Sequence, residues 1–453
     1  MTDKPLTQRI ILSFWLPLAA SWILMTLEGP FVQAALARLP DPDTHLAAFG
    51  IVVSLSVTIE APIIMLLATS TALCRDGAAY RVLWRFMMWL NLLLTVVAAA
   101  VAFTPLFDWI VPGAMGVPAD IAAAARPGMR IMTLWSAAIG WRRFYQGILI
   151  RFGQTRRVTY GTTIRLTFSG GVAALLAWQG DLSGVAVGSC ALMSGVLAEA
   201  ALVTWLVRPT LARHLTSTLT STLTLTSTLT STSPSTSTST LTMRRVINFH
   251  TPLAATSVLM LLSQPLVSAG LSRSPSPEQS LAAWPVAFSL VLFARSFGLA
   301  TQEVIIALTA GPGTLKALRR FVLGVAVFAT VVLILMAFTP FSGLYLREFA
   351  AISPELADFV TPCLQVALLL PGMTVFQSWL RALLMKGEST PSIYQAMGLN
   401  LTVTAAVLAL GVALQAPGVQ MGAIALSVAM LVELFFLGSR TRRVMDRVVV
   451  GVV

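Results

Sequence analysis

The sequence predicts an all-α polytopic membrane protein, with twelve transmembrane helices arranged as two homologous six-helix lobes. Three observations carry this reading. Hydrophobic residues make up 56% of the 453 residues and charged ones only 11%, where a soluble chain carries about a quarter charged residues. Apolar stretches recur from Ile10 to the C-terminus, each long enough to cross ~30 Å of hydrocarbon. They lack the alternation of a barrel strand, which leaves helices as the only way to satisfy their backbone inside a bilayer. The third observation is a repeat. FWLPLAASWILMTLEGPFVQAALAR from Phe14 returns as FHTPLAATSVLMLLSQPLVSAGLSR from Phe249.

The spans follow in order. The first, 10–37, is too long for the apolar core of a cleavable signal and reads as a membrane helix. It is followed by 45–73, 84–110, 121–150, 158–178 and 184–207, and the second six are 246–272, 280–309, 318–344, 355–385, 392–414 and 418–438. The lobes are expected at 1–208 and 244–453, with 209–243 between them. That connection holds LTSTLTSTLTLTSTLTSTSPSTSTSTLT, a low-complexity Ser/Thr/Leu tract that reads as a disordered linker because it buries too little apolar surface to offset its ordering entropy.

The repeat keeps register. Pro17 matches Pro252, Pro30 matches Pro265 and Arg38 matches Arg273, all at an offset of 235. Gly153 with Gly387, Gly184 with Gly418, Gly188 with Gly422 and Glu199 with Glu433 follow at an offset of 234. With an even number of spans per lobe, both lobes enter the membrane the same way and enclose a central cleft. Pro17, Pro30 and Pro62, with Pro252, Pro265 and Pro285, are expected to kink the first two helices of each lobe. The paired GxxxG spacings are expected to bring helices close.

Arginine and lysine placement sets the orientation. Residues such as Arg75, Arg85, Arg151, Arg208, Arg244, Lys316, Lys386 and Arg440 share one set of ends, whereas the opposite ends hold Arg38, Arg273 and Arg347 among acidic residues. The asymmetry places both termini in the cytoplasm of a multi-pass protein of the cytoplasmic membrane. It also disposes of nucleic acid as a partner, because the net charge of +12 is spread over loops and gathered in no patch.

Charges inside the spans are the functional candidates, since burying them is costly. Glu60 and Arg295 are repeat equivalents near the middle of helices two and eight, expected to gate or line the substrate cavity, paired or separately. Arg142, Arg143, Arg165 and Glu199 lie at one depth, ~12 Å inside the basic loops by helical rise, and are expected to form a polar layer of the first lobe. The layer reads either as an anion site or as an interhelical network. Its second-lobe counterpart keeps Glu433 but has Leu399 in place of Arg165. Glu28 and Glu303 are the candidates for coupling to a proton or sodium ion, as carboxylates in a low-dielectric setting. Arg130 and Arg381 are further intramembrane bases.

These features resemble the multidrug/oligosaccharidyl-lipid/polysaccharide (MOP) flippase superfamily. PLAASWILMTLEGPFVQAALAR and LAAFGIVVSLSVTIEAP look like its progressive ankylosis branch, with multidrug and toxic compound extrusion (MATE) proteins as broader relatives. The resemblance implies export by alternating access. It implies small anions such as pyrophosphate for the ankylosis branch, and cation-coupled export of organic cations for MATE proteins. Glu28 is similar in location to the first-helix acid of many MATE proteins.

The expected function is therefore a secondary active transporter exporting a small organic or anionic solute, with membrane lipid as its surroundings. The alternatives are a lipid or lipid-linked saccharide flippase and a MATE-type multidrug efflux protein. Enzyme chemistry is not expected. The histidines are His45, His214 and His250, and neither HExxH, GxSxG nor GxxxxGK[ST] occurs. Cys74, Cys190 and Cys363 have no metal or disulfide spacing and read as small apolar packing residues, so no metal and no cofactor is expected.

Overall fold

The computed structural model describes residues 6–215, 241–309, 312–386 and 390–449. Each expected span falls on one helix or on consecutive helices separated by a short break. The first half comprises α1 (Gln8–Leu36), α2a (Pro42–Ile64) with α2b (Leu66–Leu73), α3 (Gly77–Phe103), α4a (Ala119–Ile131) with α4b (Trp135–Arg151), α5 (Thr155–Gln179) and α6 (Gly184–Leu215). The second half comprises α7a (Met243–Leu261) with α7b (Ser263–Leu271), α8a (Pro277–Leu299) with α8b (Thr301–Leu308), α9 (Pro312–Phe338), α10a (Pro354–Val366) with α10b (Leu370–Lys386), α11 (Thr390–Ala413) and α12 (Gly418–Val449). The core of the expected Ser/Thr linker lies outside the described residues.

Among the described residues, nine helices are long and apolar enough to cross a membrane, and ten if α10a and α10b, bent by 44°, count as one. Two of the twelve expected spans fall short for visible reasons. The fourth is cut into α4a and α4b by a 3-10 turn at Met132–Leu134. The helix α5 carries Arg156, Arg157, Arg165 and a run of threonines.

The repeat extends to backbone irregularities. Helices two and eight break at Met65 and Ala300, equivalent positions. Wide π-helical turns occur at Trp109–Ala114 and Leu344–Phe349, again equivalent. Gly116 and Ala351, one offset apart, both have φ in the left-handed region, +73° and +53°. The prolines explain less than expected. Pro30 sits inside an unbroken α1, while its equivalent Pro265 follows a break at Leu262. Helix eight breaks at Ala300 with Phe297 standing where helix two has Pro62.

Packing within each half is also duplicated. The later part of α1 packs on α5 and α6, as α7b packs on α11 and α12. Where α6 meets α2a, a Cβ on Gly188 would lie 2.7 Å from the Phe49 ring, and where α12 meets α8a, one on the equivalent Gly422 would lie 2.9 Å from Trp284. Those glycines let helices approach at a distance no side chain permits, the role expected of the paired spacings. Cys74 and Cys363 are buried and unbonded, and Cys190 is half-buried.

The halves meet along α2a and α8a, where Gly50 receives Pro285, its own equivalent: a Cβ there would sit 2.5 Å from the proline ring. Toward the end carrying the basic loops, the first helices cross over. Ile11, Trp15 and Ala19 of α1 pack on Phe297, Val304, Phe321 and Val325 of the second half. Trp15 donates to the Phe297 carbonyl at 3.3 Å. Its equivalent His250, on α7a, shares a 2.9 Å hydrogen bond with Thr69 of the first half.

Candidate functional site

A layer of polar side chains crosses the middle of each half, and in both it is organised around a buried carboxylate on the sixth helix of that half. Glu199 of α6 is fully buried. It accepts from Arg142 Nη1 at 2.6 Å and Gln146 Nε2 at 2.8 Å, both from α4b. Positions 142 and 146 are four apart, hence on one helix face. Gly161 of α5 leaves room for the carboxylate, since a Cβ there would lie 3.1 Å from Glu199 Oε1.

The second half builds the same cradle from a different arrangement. Glu433 of α12, also buried, accepts from Gln377 Nε2 at 2.8 Å and Arg381 Nη2 at 2.5 Å, both on α10b. At the offset of 235, Gln377 corresponds to Arg142 and Arg381 to Gln146. The arginine and the glutamine have exchanged places, one turn apart, around an equivalent acid. Asn400, next to the Leu399 that replaces Arg165, adds a third donor at 2.9 Å.

Glu28 of α1 enters the first layer directly. Its carboxylate takes a two-pronged ion pair from Arg165 of α5, with Nε at 2.9 Å, and a hydrogen bond from Ser169 Oγ at 2.6 Å. Arg165, expected at the depth of Arg142 and Arg143, thus joins α5 to α1. The second half has Ser263 at the position of Glu28.

Two pairs account for Glu28, Arg165, Glu199 and Arg142. Glu60 and Arg143 remain. Glu60 of α2a is buried among Arg142, Arg143 and Arg165, all within electrostatic reach, but its Oε2 has no hydrogen-bond partner among the described residues. Arg143 forms no ion pair among the described residues, and its Nε is buried and unbonded. In the second half Arg295 is left over. It donates from Nε to Thr374 Oγ1 at 2.8 Å and lies near Arg381 and Glu433.

Glu60 and Arg295 therefore do not pair with each other. Each points into the polar layer of its own half, so the pairing considered from sequence is replaced by two separate environments. Three carboxylates balance three guanidiniums in the first half; one carboxylate faces two in the second. Glu303 stands apart from both layers, exposed on α8b with no hydrogen bond or ion pair among the described residues. Arg130 is exposed and lies over the Phe103 ring at 5.6 Å. Among the described residues, no cluster of three or more His, Cys, Asp or Glu side chains is arranged to hold a metal.

The sequence reading missed Gln146, Ser169, Gln377 and Asn400, uncharged donors without which the acids would be under-bonded, and Thr374, which accepts from Arg295. The signal was present: an Arg and a Gln four residues apart recur at the repeat offset in opposite order.

No protein-family profile matches the sequence, and no curated protein is significantly similar to it. Solved structures share the fold. An inward-facing multidrug resistance MATE family transporter of the MOP superfamily superposes with a TM-score of 0.70 at 12% identity, covering 96% of this chain and 99% of that one. The lipid II flippase MurJ in an inward closed conformation gives 0.69 at 12% identity, covering 96% and 90%. A MOP superfamily transporter from Pyrococcus furiosus, described as having a binding pocket of reverse polarity, gives 0.63 at 14%, covering 98% and 99%. At such identities the likeness establishes the fold, that of MATE-type multi-pass membrane proteins.

Proposed function

We propose that the protein is a secondary active transporter of the MOP type that exports a small organic or anionic solute from the cytoplasm by alternating access. The observation that carries this is the pair of equivalent intramembrane charges, Glu60 and Arg295, each without an ion-pair partner on the helices where the two halves meet. Charges without a direct ion-pair partner at the seam of a duplicated fold are expensive structural choices and natural contacts for a charged solute. The surplus guanidinium in the second half favours an anion, in line with the sequence resemblance to the progressive ankylosis branch. The excess of basic residues at the end carrying the termini supports a cytoplasmic placement of both.

Coupling to a proton or sodium ion remains assigned to Glu28 and Glu303, now with different demands. Glu28 releases Arg165 and Ser169 before it takes up a cation, whereas Glu303 has nothing to release. A lipid or lipid-linked saccharide flippase is the second reading. It is supported by a fold likeness to MurJ as good as that to the MATE transporter.

The deciding experiment compares extracellular solutes from cells expressing wild type and Glu60→Ala/Arg295→Ala at matched membrane levels. A small anion enriched outside only with wild type is the expected result. No change in any soluble compound would favour the flippase.

A further inference from the structure

Arg38 and Arg273 are among the few cations at the end opposite the basic loops, and they are repeat equivalents. Each sits at the C-terminus of its own half's first helix. Arg38 follows Leu36, whose side chain packs against Gly188 of α6; Arg273 adjoins Ser274, which packs against Gly418 of α12. Each arginine thus rides on its own half.

Each one also grips the other half. Arg38 Nη2 donates to the carbonyls of Glu348 at 3.2 Å and Phe349 at 2.8 Å, at the end of the second half's π-helical turn. Arg273 donates to the carbonyls of Ala114 at 2.6 Å and Met115 at 2.6 Å, at the end of the first half's turn. The remaining reach of each guanidinium returns to its own helix, Arg38 to the Ala34 carbonyl and Arg273 to that of Ala269 at 2.7 Å, again equivalent residues. Phe31 adds an edge-on contact to Phe349, with centroids 5.5 Å apart.

The chemistry suits a reversible fastening. The last carbonyls of a helical turn lack intrahelical donors and carry the negative end of its dipole, so a guanidinium fork fits them. Both arginines are exposed, so water replaces these bonds at small cost when they part. Neither arginine has a carboxylate partner among the described residues. The π-helical turn, followed by a residue in the left-handed region, Gly116 or Ala351, presents these carbonyls to the other half.

We propose that Arg38 and Arg273 form a symmetric double latch that holds this end of the molecule shut, and that both must let go before the halves separate there. The proposal rests on alternating access as the mode of action, but its test does not rely on transport. Spin labels at Asp120→Cys and Glu355→Cys, exposed equivalent positions at this end, report the separation of the halves in a chain carrying Cys74→Ala, Cys190→Ala and Cys363→Ala. The latch predicts a single short distance with Arg38 and Arg273 present.

Each Arg→Ala change is expected to raise the long-distance population about fivefold to tenfold, as the loss of a charge-assisted contact allows, with the two effects multiplying in the double variant. Arg38→Lys/Arg273→Lys keeps the charge and loses the fork, and is expected to fall between. Should Arg38→Ala/Arg273→Ala not fold, the lysine variant decides alone, and wild-type distances in it overturn the latch. Unchanged distances in the folded alanine variant overturn it as well. Opening in the variants with no solute exported by any form would keep the latch and remove the transporter reading.

Discussion

The two halves share a backbone and differ in their charges. The breaks of helices two and eight, the π-helical turns, the glycine crossings and the arginine grips recur at the repeat offset. The polar layer does not. Glu28, Glu60, Arg143 and Arg165 have Ser263, Arg295, Ser378 and Leu399 as their counterparts. What persists is the need of one buried acid, Glu199 or Glu433, for several donors; what varies is how they are supplied. Backbone geometry in a membrane is held by close helix contacts that tolerate little change. A buried charge is indifferent to which residue compensates it, provided one does. The asymmetry is therefore the part of the molecule free to vary without cost to the shared backbone.

The comparison can be broken most directly by removing the shared acid. Glu433→Ala leaves Arg381 and Arg295 with no carboxylate in their layer and is expected to cost ~3–5 kcal/mol, as for other orphaned buried pairs. Glu199→Ala is expected to cost less, because Glu60 lies within reach of Arg142. Melting temperatures of the detergent-solubilised variants check this; a greater loss in Glu199→Ala would show that Glu60 does not substitute.

A finer test uses the exchanged arginine and glutamine. Arg142→Gln alone deprives Glu199 of its guanidinium, a loss of about 1.5–3 kcal/mol for a charged hydrogen bond. Adding Gln146→Arg copies the second half's arrangement and is expected to restore most of that stability. A double variant melting no higher than the single would mean that the two cradles, though equivalent, have become specific to their donors.

The smallest effect concerns the turns. Ala351 holds φ +53°, while its equivalent Gly116 holds φ +73° without a Cβ to strain. Ala351→Gly is expected to stabilise by up to about 1 kcal/mol. Gly116→Ala is expected to destabilise, since its Cβ would also approach the Arg273 guanidinium to 3.3 Å. Paired unfolding curves of the two variants, with shifts of opposite sign, are the expected reading.

The fold was largely legible because its signals are local or periodic. Apolar runs locate the helices, and a constant offset joins the halves without reference to space. The breaks within 45–73, 121–150, 246–272, 280–309 and 355–385 fall at turns whose residues are mostly as apolar as their neighbours, so their positions left no mark in the sequence. The site was legible in part. Ionisable residues in apolar helices stand out, so Glu28, Glu60, Arg142, Arg143, Arg165, Glu199 and Arg295 could be singled out, and the structure places them in the two polar layers. Their partners were not, because Gln146, Gln377 and Asn400 are unremarkable in a sequence until a carboxylate from a distant helix reaches them.

Composition, run length and repeat offset together determine that this chain crosses a membrane many times as a duplicated bundle, because a bilayer leaves few other solutions for such a backbone. They also determine which charges must be accounted for. Only the tertiary structure decides how: that Glu28 belongs to Arg165, that Glu60 and Arg295 face separate layers, and that Arg38 and Arg273 reach carbonyls more than a hundred residues away. Charge compensation acts over a few ångströms between side chains of different helices. Helix packing sets those distances, and no spacing along the chain encodes them.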